Sequence, residues 1–85
     1  MHYHNCPPDI VQVQPLEARR VRIKYQTGKE GVIDLEPLIK SGPVWNQVRN
    51  DDAFFKLVGI DAFGSLCWPD GADIAPEYLW EQIGA

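Results

Sequence analysis

The sequence predicts an α+β fold: an antiparallel three-stranded meander, short helical segments, a two-stranded hairpin and a docked C-terminal helix, arranged in two layers. Three observations carry this expectation. Residues 20–26 alternate polar and apolar side chains with a period of two. Glycines fall at the reversals between such runs, as at Gly28 and Gly64. From Pro76 onward, Leu79 and Ile83 recur at helical spacing. Strands, short helices, strands and then a helix is the order of an α+β chain.

At 85 residues and 9.6 kDa the chain is long enough for one core. The expected organisation is a flexible N-terminal lead-in over residues 1–8 and a single α+β domain over 9–85. Pro7 and Pro8 force extension and remove two backbone donors, so order begins at Asp9 or Ile10. A net charge of −4 argues against wholesale nucleic-acid binding, which needs a basic footprint. The charge is uneven: residues 1–40 hold six Lys/Arg against five Asp/Glu, and residues 41–85 hold two against seven. No run approaches the ~20 apolar residues of a membrane span. The start MHYHNCPPD has neither half of a signal peptide, so a cytoplasmic protein with no membrane contact is expected. In a reducing compartment Cys6 and Cys67 are expected as free thiols.

The elements follow in order. IVQVQPL alternates Ile10, Gln12 and Gln14 with Val11, Val13 and Pro15, a strand that Pro15 closes or marks as an edge. That free edge predicts pairing with a second copy, a homodimer. RRVRIKYQ sends Val21, Ile23 and Tyr25 to one face and Arg20, Arg22, Lys24 and Gln26 to the other. QTGK reverses the chain through a type I turn closed by Gly28, and EGVIDL returns as the partner strand. In DLEPLIKSG, Pro37 suits a first helical turn and Gly42 the C′ position after Lys40. VWNQV offers Val44, Trp45 and Val48 on one helical face. Asn50 or Asp51 caps a further turn that delivers Phe54 and Phe55 to the core. KLVGID and SLCW read as two strands joined at Ala62-Phe63-Gly64.

The stretch CWPDGADIAPEYLW, residues 67–80, reads as a fastening. Pro69 pre-sets the turn, Asp70 accepts amides ahead of it, and Gly71 takes a conformation closed to other residues. Asp73 approaches the open amides at the start of the final helix, because Ala75 is a poor cap. That helix is too short to persist alone in water. Leu79, Trp80 and Ile83 are therefore expected to bury against the sheet, with Trp68 as their platform and Glu77, Glu81 and Gln82 in solvent.

Four residue sets offer chemistry beside this architecture. Asp61, Asp70 and Asp73 form the best candidate for a metal loop, and hence for a metal-dependent hydrolase. Their spacing does not match a calcium loop, and turn-forming acids are the plainer account. His2, His4 and Cys6 put zinc-capable atoms on one face of an extended segment, yet no paired ligand motif accompanies them. Ser41, Ser65 and Thr27 are the only Ser and Thr hydroxyls, and no histidine lies outside the N-terminal segment to activate them. The basic strand face of Arg19, Arg20, Arg22 and Lys24 reads either as a solvated sheet face or as a patch for an acidic partner or a phosphate backbone.

Taken together, VRIKYQTGKEGVIDLEPLI, DDAFFKLVGID and WPDGADIAPEYLW resemble a bacterial family catalogued as domain of unknown function 2442. The shared pattern is carried by Tyr25 and Gly28, Asp34 and Leu35, Asp51 and Phe55, and then Trp68, Gly71, Asp73, Ile74 and Leu79. Ala75 departs from it where a capping Ser or Asp is expected. The resemblance implies a small α+β domain without known catalysis. Its relatives are often encoded beside a second small protein, and some are fused to a helix-turn-helix domain. This resembles the antitoxin or regulatory half of a two-protein system.

The expectation is therefore a non-enzymatic interaction module with no cofactor, binding a small partner protein encoded by a neighbouring gene. The alternatives are a weak nucleic acid contact through the basic face and the Asp-based hydrolase.

Overall fold

A computed structural model describes residues 9–83. Two antiparallel sheets of three strands are joined by short helices. The first sheet contains β1 (Ile10–Pro15), β2 (Arg20–Tyr25) and β3 (Glu30–Asp34), in the order β1-β2-β3. Helices α1 (Glu36–Ile39), α2 (Asn46–Asn50) and α3 (Asp52–Phe55) follow. The second sheet has the order β4 (Gly59–Ile60), β5 (Leu66–Cys67), β6 (Asp73–Ile74), and α4 (Pro76–Gln82) closes the fold. Among the described residues no helix is long and apolar enough to cross a membrane. The fold class is the α+β expected, with one more strand: Asp73 and Ile74 pair with Cys67 and Leu66, turning the predicted hairpin into a three-stranded sheet.

One turn design recurs at three reversals. The residue before each turn donates its N–H to a carbonyl four residues on, and the glycine donates back to that first residue's carbonyl. These bonds measure 2.7 and 2.8 Å at Tyr25–Lys29, 3.0 and 3.1 Å at Asp61–Ser65, and 3.0 and 3.0 Å at Trp68–Ala72. Gly28, Gly64 and Gly71 have φ of +96°, +78° and +95°, the left-handed step that a three-residue loop needs to match strand twist. Side chains support all three turns, Thr27 Oγ1 accepting from the Lys29 amide at 3.3 Å in the first. Asp61 Oδ1 accepts from the Phe63 and Ser65 amides, and Asp70 Oδ1 accepts from Ala72, as the Pro-Asp-Gly chemistry predicts.

Strand β1 does not keep the strict alternation expected of it. Ile10 pairs with Tyr25 and Gln12 with Lys24, so Val11 is the extra residue of a bulge. The bulge returns Ile10 to the face of Val13 and Pro15, where it is buried, and turns Val11 out to solvent.

The core is built from the inward side chains of β2, Val21, Ile23 and Tyr25, which are fully buried with Leu35, Ile39, Val48, Phe55, Leu66 and Leu79. Asp51 caps α3 as expected, its Oδ1 accepting from Ala53 and Phe54, and Phe55 enters the core. Val44, expected beside Trp45 and Val48, is 48% exposed instead, because Pro43–Trp45 forms a single 3₁₀ turn and does not belong to α2. The helix C′ assignment also shifts: α1 ends with Lys40 as its C-cap, and Gly42 lies two residues beyond.

The last helix is fastened through Leu79, Trp80 and Ile83 as expected, but on a different platform. The Tyr25 hydroxyl donates to the Pro76 carbonyl at 2.7 Å, and Trp80 meets the Tyr25 ring edge-on at 4.7 Å between centroids. The Lys29 ammonium lies 4.5 Å above Trp80, and Ile83 packs where a side chain at Gly31 would come within 2.8 Å of it. Leu79 is buried, and Glu77, Glu81 and Gln82 face solvent. Trp68 is buried too, yet its ring contacts are Trp45 and Phe55, so it fastens the middle helices and α4 has Tyr25 as its aromatic platform. The N-cap of α4 is Ala75 without a side-chain bond, because Asp73 is held in β6.

Candidate interaction surface

Strand β2 divides its side chains by parity. The even residues Arg20, Arg22 and Lys24 stand on the face away from the core. In register beside them are Gln14 and Gln12 on β1, and Asp34, Val32 and Glu30 on β3. Arg20 donates from Nε to the Glu17 carbonyl at 3.3 Å. Arg22 and Lys24 make no ion pair among the described residues. A groove of about 500 Å³ is lined by Val11, Gln12, Gln14, Arg22 and Lys24, together with Glu30 and Ile60. The face thus combines two unpaired cations, amide side chains and the bulged Val11, with Glu30 and Asp34 as an acidic margin.

Arg19 was expected in this set and does not belong to it. Ala18 and Arg19 both adopt positive φ, 59° and 58°, which swings the Arg19 side chain off the sheet toward the helices. Its Nε donates to the Val48 carbonyl at 2.9 Å and Nη2 to the Arg49 carbonyl at 3.1 Å. Nη1 reaches Asp52 Oδ1 at 2.9 Å, and the guanidinium lies 5.1 Å from the Phe55 ring centroid. These bonds satisfy carbonyls at the open end of α2, a structural task. Parity was the signal available in the sequence: Arg19 shares the odd parity of Val21, Ile23 and Tyr25, and its side chain is only 17% exposed.

The acidic trio is not assembled. Asp61 and Asp70 serve the amides of two separate turns, and Asp73 lies on the edge strand β6. Among the described residues no group of three or more His, Cys, Asp or Glu is placed to hold a metal ion. Asp61 and Asp73 instead share an electrostatic effect on Cys67, which lies in register between Gly59 and Asp73. Burial first, and then these two negative charges, push the Cys67 thiol above its ordinary value, so the reactive thiolate is scarce. His2, His4 and Cys6 lie outside the described residues, as does the 1–8 lead-in.

The model of a protein family described as protein of unknown function (DUF2442) matches residues 10–85, from the first residue of β1 onward. The chain belongs to this family. Comparison of the DUF2442 chain with curated proteins gives no match, and comparison with solved structures gives none either. The match takes in both sheets, the three glycine turns and α4.

Proposed function

We propose that this DUF2442 protein is a non-enzymatic, protein-binding module of the bacterial cytoplasm, the antitoxin-like regulatory half of a two-protein system. It engages a small partner across the outer face of its first sheet. The observation that carries this reading is the pairing of Arg22 and Lys24, two cations without an intramolecular ion pair among the described residues, with an adjoining groove of about 500 Å³. Free charges beside a concavity suit an acidic protein surface, because rim charges steer association and fix register. The acidic margin of Glu30 and Asp34 gives that surface a pattern of both signs, which favours one partner over many. Architectural use of Asp51, Asp61 and Asp70, whose carboxylates accept backbone amides, agrees with a binding role.

The test is co-elution with the small protein encoded by the neighbouring gene, for the wild type and for an Arg22→Glu, Lys24→Glu double variant. The expected result is a complex at micromolar concentration that the double variant loses. Separate elution of the two wild-type proteins would overturn the reading.

The same two free cations support a nucleic acid contact as a second reading. Loss of Arg19 from the face and the presence of Glu30 and Asp34 weaken it, because phosphate contacts need a continuous positive surface. Salt-dependent retention of DNA or RNA, abolished in the double variant, is its expected signature; no retention at low salt removes it.

A further inference from the structure

We propose that the pocket between α1, the Pro43–Trp45 turn, β6 and the start of α4 is a socket for one arginine side chain presented by a partner polypeptide. The pocket measures about 300 Å³ and is lined by Leu38, Trp45, Asp73, Ile74, Ala75 and Tyr78. An arginine needs an apolar wall for its methylene stem, a flat π surface for its guanidinium and a carboxylate for its N–H fork. Leu38, Ile74 and Ala75 supply the first, Trp45 and Tyr78 the second, and Asp73 the third.

Asp73 is set apart from the other aspartates of this half of the chain. Asp51, Asp61 and Asp70 accept backbone amides and Asp52 pairs with Arg19 and Lys56, whereas the Asp73 carboxylate has no hydrogen bond or ion pair among the described residues. Among the described residues it is also the only charged one lining the pocket. Residues 41–85 hold seven Asp/Glu and two Lys/Arg. Both of those cations are already engaged, Arg49 with the Ile39 carbonyl and Asn46, and Lys56 with Asp52. The local field therefore favours a cation from outside. Trp45 is held by its edge-on contact with Trp68 at 5.7 Å, so one aromatic wall is pre-formed, while Tyr78 remains 50% exposed without an assigned structural role. Arginine suits the site better than lysine because its planar group both stacks on aromatic faces and meets a carboxylate through two bonds.

This socket rests on the protein-binding reading for the nature of its ligand but not on the sheet face. The experiment is a titration of the isotope-labelled full chain with Nα-acetyl-arginine amide, followed by amide and indole chemical shifts. Nα-acetyl-citrulline amide serves as the neutral isostere. Arginine amide should shift Trp45, Asp73, Ile74 and Tyr78, and citrulline amide should bind about three- to fivefold more weakly, the value of one exposed charge pair. Asp73→Asn should bring arginine down to the citrulline level, and Tyr78→Ala should weaken both probes. Equal binding of the two probes, shifts confined to Gln12, Arg22 and Lys24, or no shifts at all would each overturn the assignment. Self-association of the wild type that Asp73→Asn removes would also overturn it, by placing a second copy in the socket. The Arg22→Glu, Lys24→Glu variant should titrate like the wild type. If the neighbouring gene product elutes separately while the arginine titration succeeds, the socket stands and only the two-protein reading falls.

Discussion

Trp68 is bound to Phe55 twice: its indole N–H donates to the Phe55 carbonyl at 3.0 Å, and the two rings stack with centroids 6.4 Å apart. This joins the second sheet to α3 through a buried residue on each side. At roughly 0.05–0.15 kcal/mol per residue, a chain of 85 residues has about 4–13 kcal/mol of stability. Trp68→Ala removes a large buried ring at about 3–5 kcal/mol, enough to unfold much of the population. Trp68→Phe retains most of the ring contact but removes the indole hydrogen bond, leaving the Phe55 carbonyl with the Val58 amide at 3.2 Å, at about 0.5–1.5 kcal/mol. Urea midpoints should rank wild type above Phe above Ala, and a Phe variant with the wild-type midpoint would show that the hydrogen bond contributes nothing beyond the ring.

Arg19 ties the β1–β2 connection to α2 and α3, so its replacement should act on folding and leave surface binding alone. Arg19→Ala is expected to cost about 1.5–3 kcal/mol, the range for hydrogen bonds to a charged group. Arg19→Lys should recover little, because an ammonium cannot span the Val48 and Arg49 carbonyls and Asp52 together. The Lys56 ammonium, and after it the Arg19 guanidinium, hold the Asp52 carboxyl below its ordinary value. Asp52 therefore contributes stability above the ordinary carboxylate range and loses it as pH falls through its lowered value. Denaturation across the acid range should show a shallower decline in Asp52→Asn than in the wild type.

These two ties differ in how far the sequence revealed them. The meander, the glycine turns and the Asp51 cap were legible because each depends on residues within one or two turns of chain. The bulge at Val11 was not, since Ile10 and Val11 are both apolar and either register buries one of them. Strand β6 is two residues long, below the length at which alternation means anything. The crossing of Arg19 and the meeting of Trp45, Asp73 and Tyr78 depend on distant segments, which periodicity does not address. The candidate surface was legible for Arg20, Arg22 and Lys24, whose alternation places them outside, whereas Arg19 has the opposite parity and turns toward the helices.

Gly64 and Gly28 occupy the same position in two copies of one turn, and they should not tolerate alanine equally. Both have positive φ, which costs an L-residue about 1–2 kcal/mol. A Cβ at Gly28 would meet open space, whereas one at Gly64 would lie 2.6 Å from the Asp9 Cβ. Gly64 also accepts the Ile10 amide at 3.4 Å, so displacing it disturbs the start of β1. Gly28→Ala should lose no more than the backbone term, and Gly64→Ala clearly more, in paired urea titrations. Indistinguishable losses would mean that Asp9 gives way without cost.

The Tyr25 phenol, which holds the Pro76 carbonyl, makes the attachment of α4 sensitive to alkali. Burial, and after it the negative charge of Glu77, push its pKa up from 10.0 to about 12. The neutral phenol is the form that the fold favours. Its contribution is therefore complete below about pH 10, where the unfolded chain's tyrosines begin to ionise, and disappears as pH rises through the folded value. Tyr25→Phe removes both the hydrogen bond and this dependence. At neutral pH it should cost about 0.5–1.5 kcal/mol. Between about pH 10 and 12 the wild type should lose stability faster than the variant, so the two denaturation midpoints converge. Tyrosinate absorbance in the folded wild type should show a late-titrating step that Tyr25→Phe lacks. A difference between the midpoints that stays constant through alkaline pH would mean that the phenol is not held neutral by the fold.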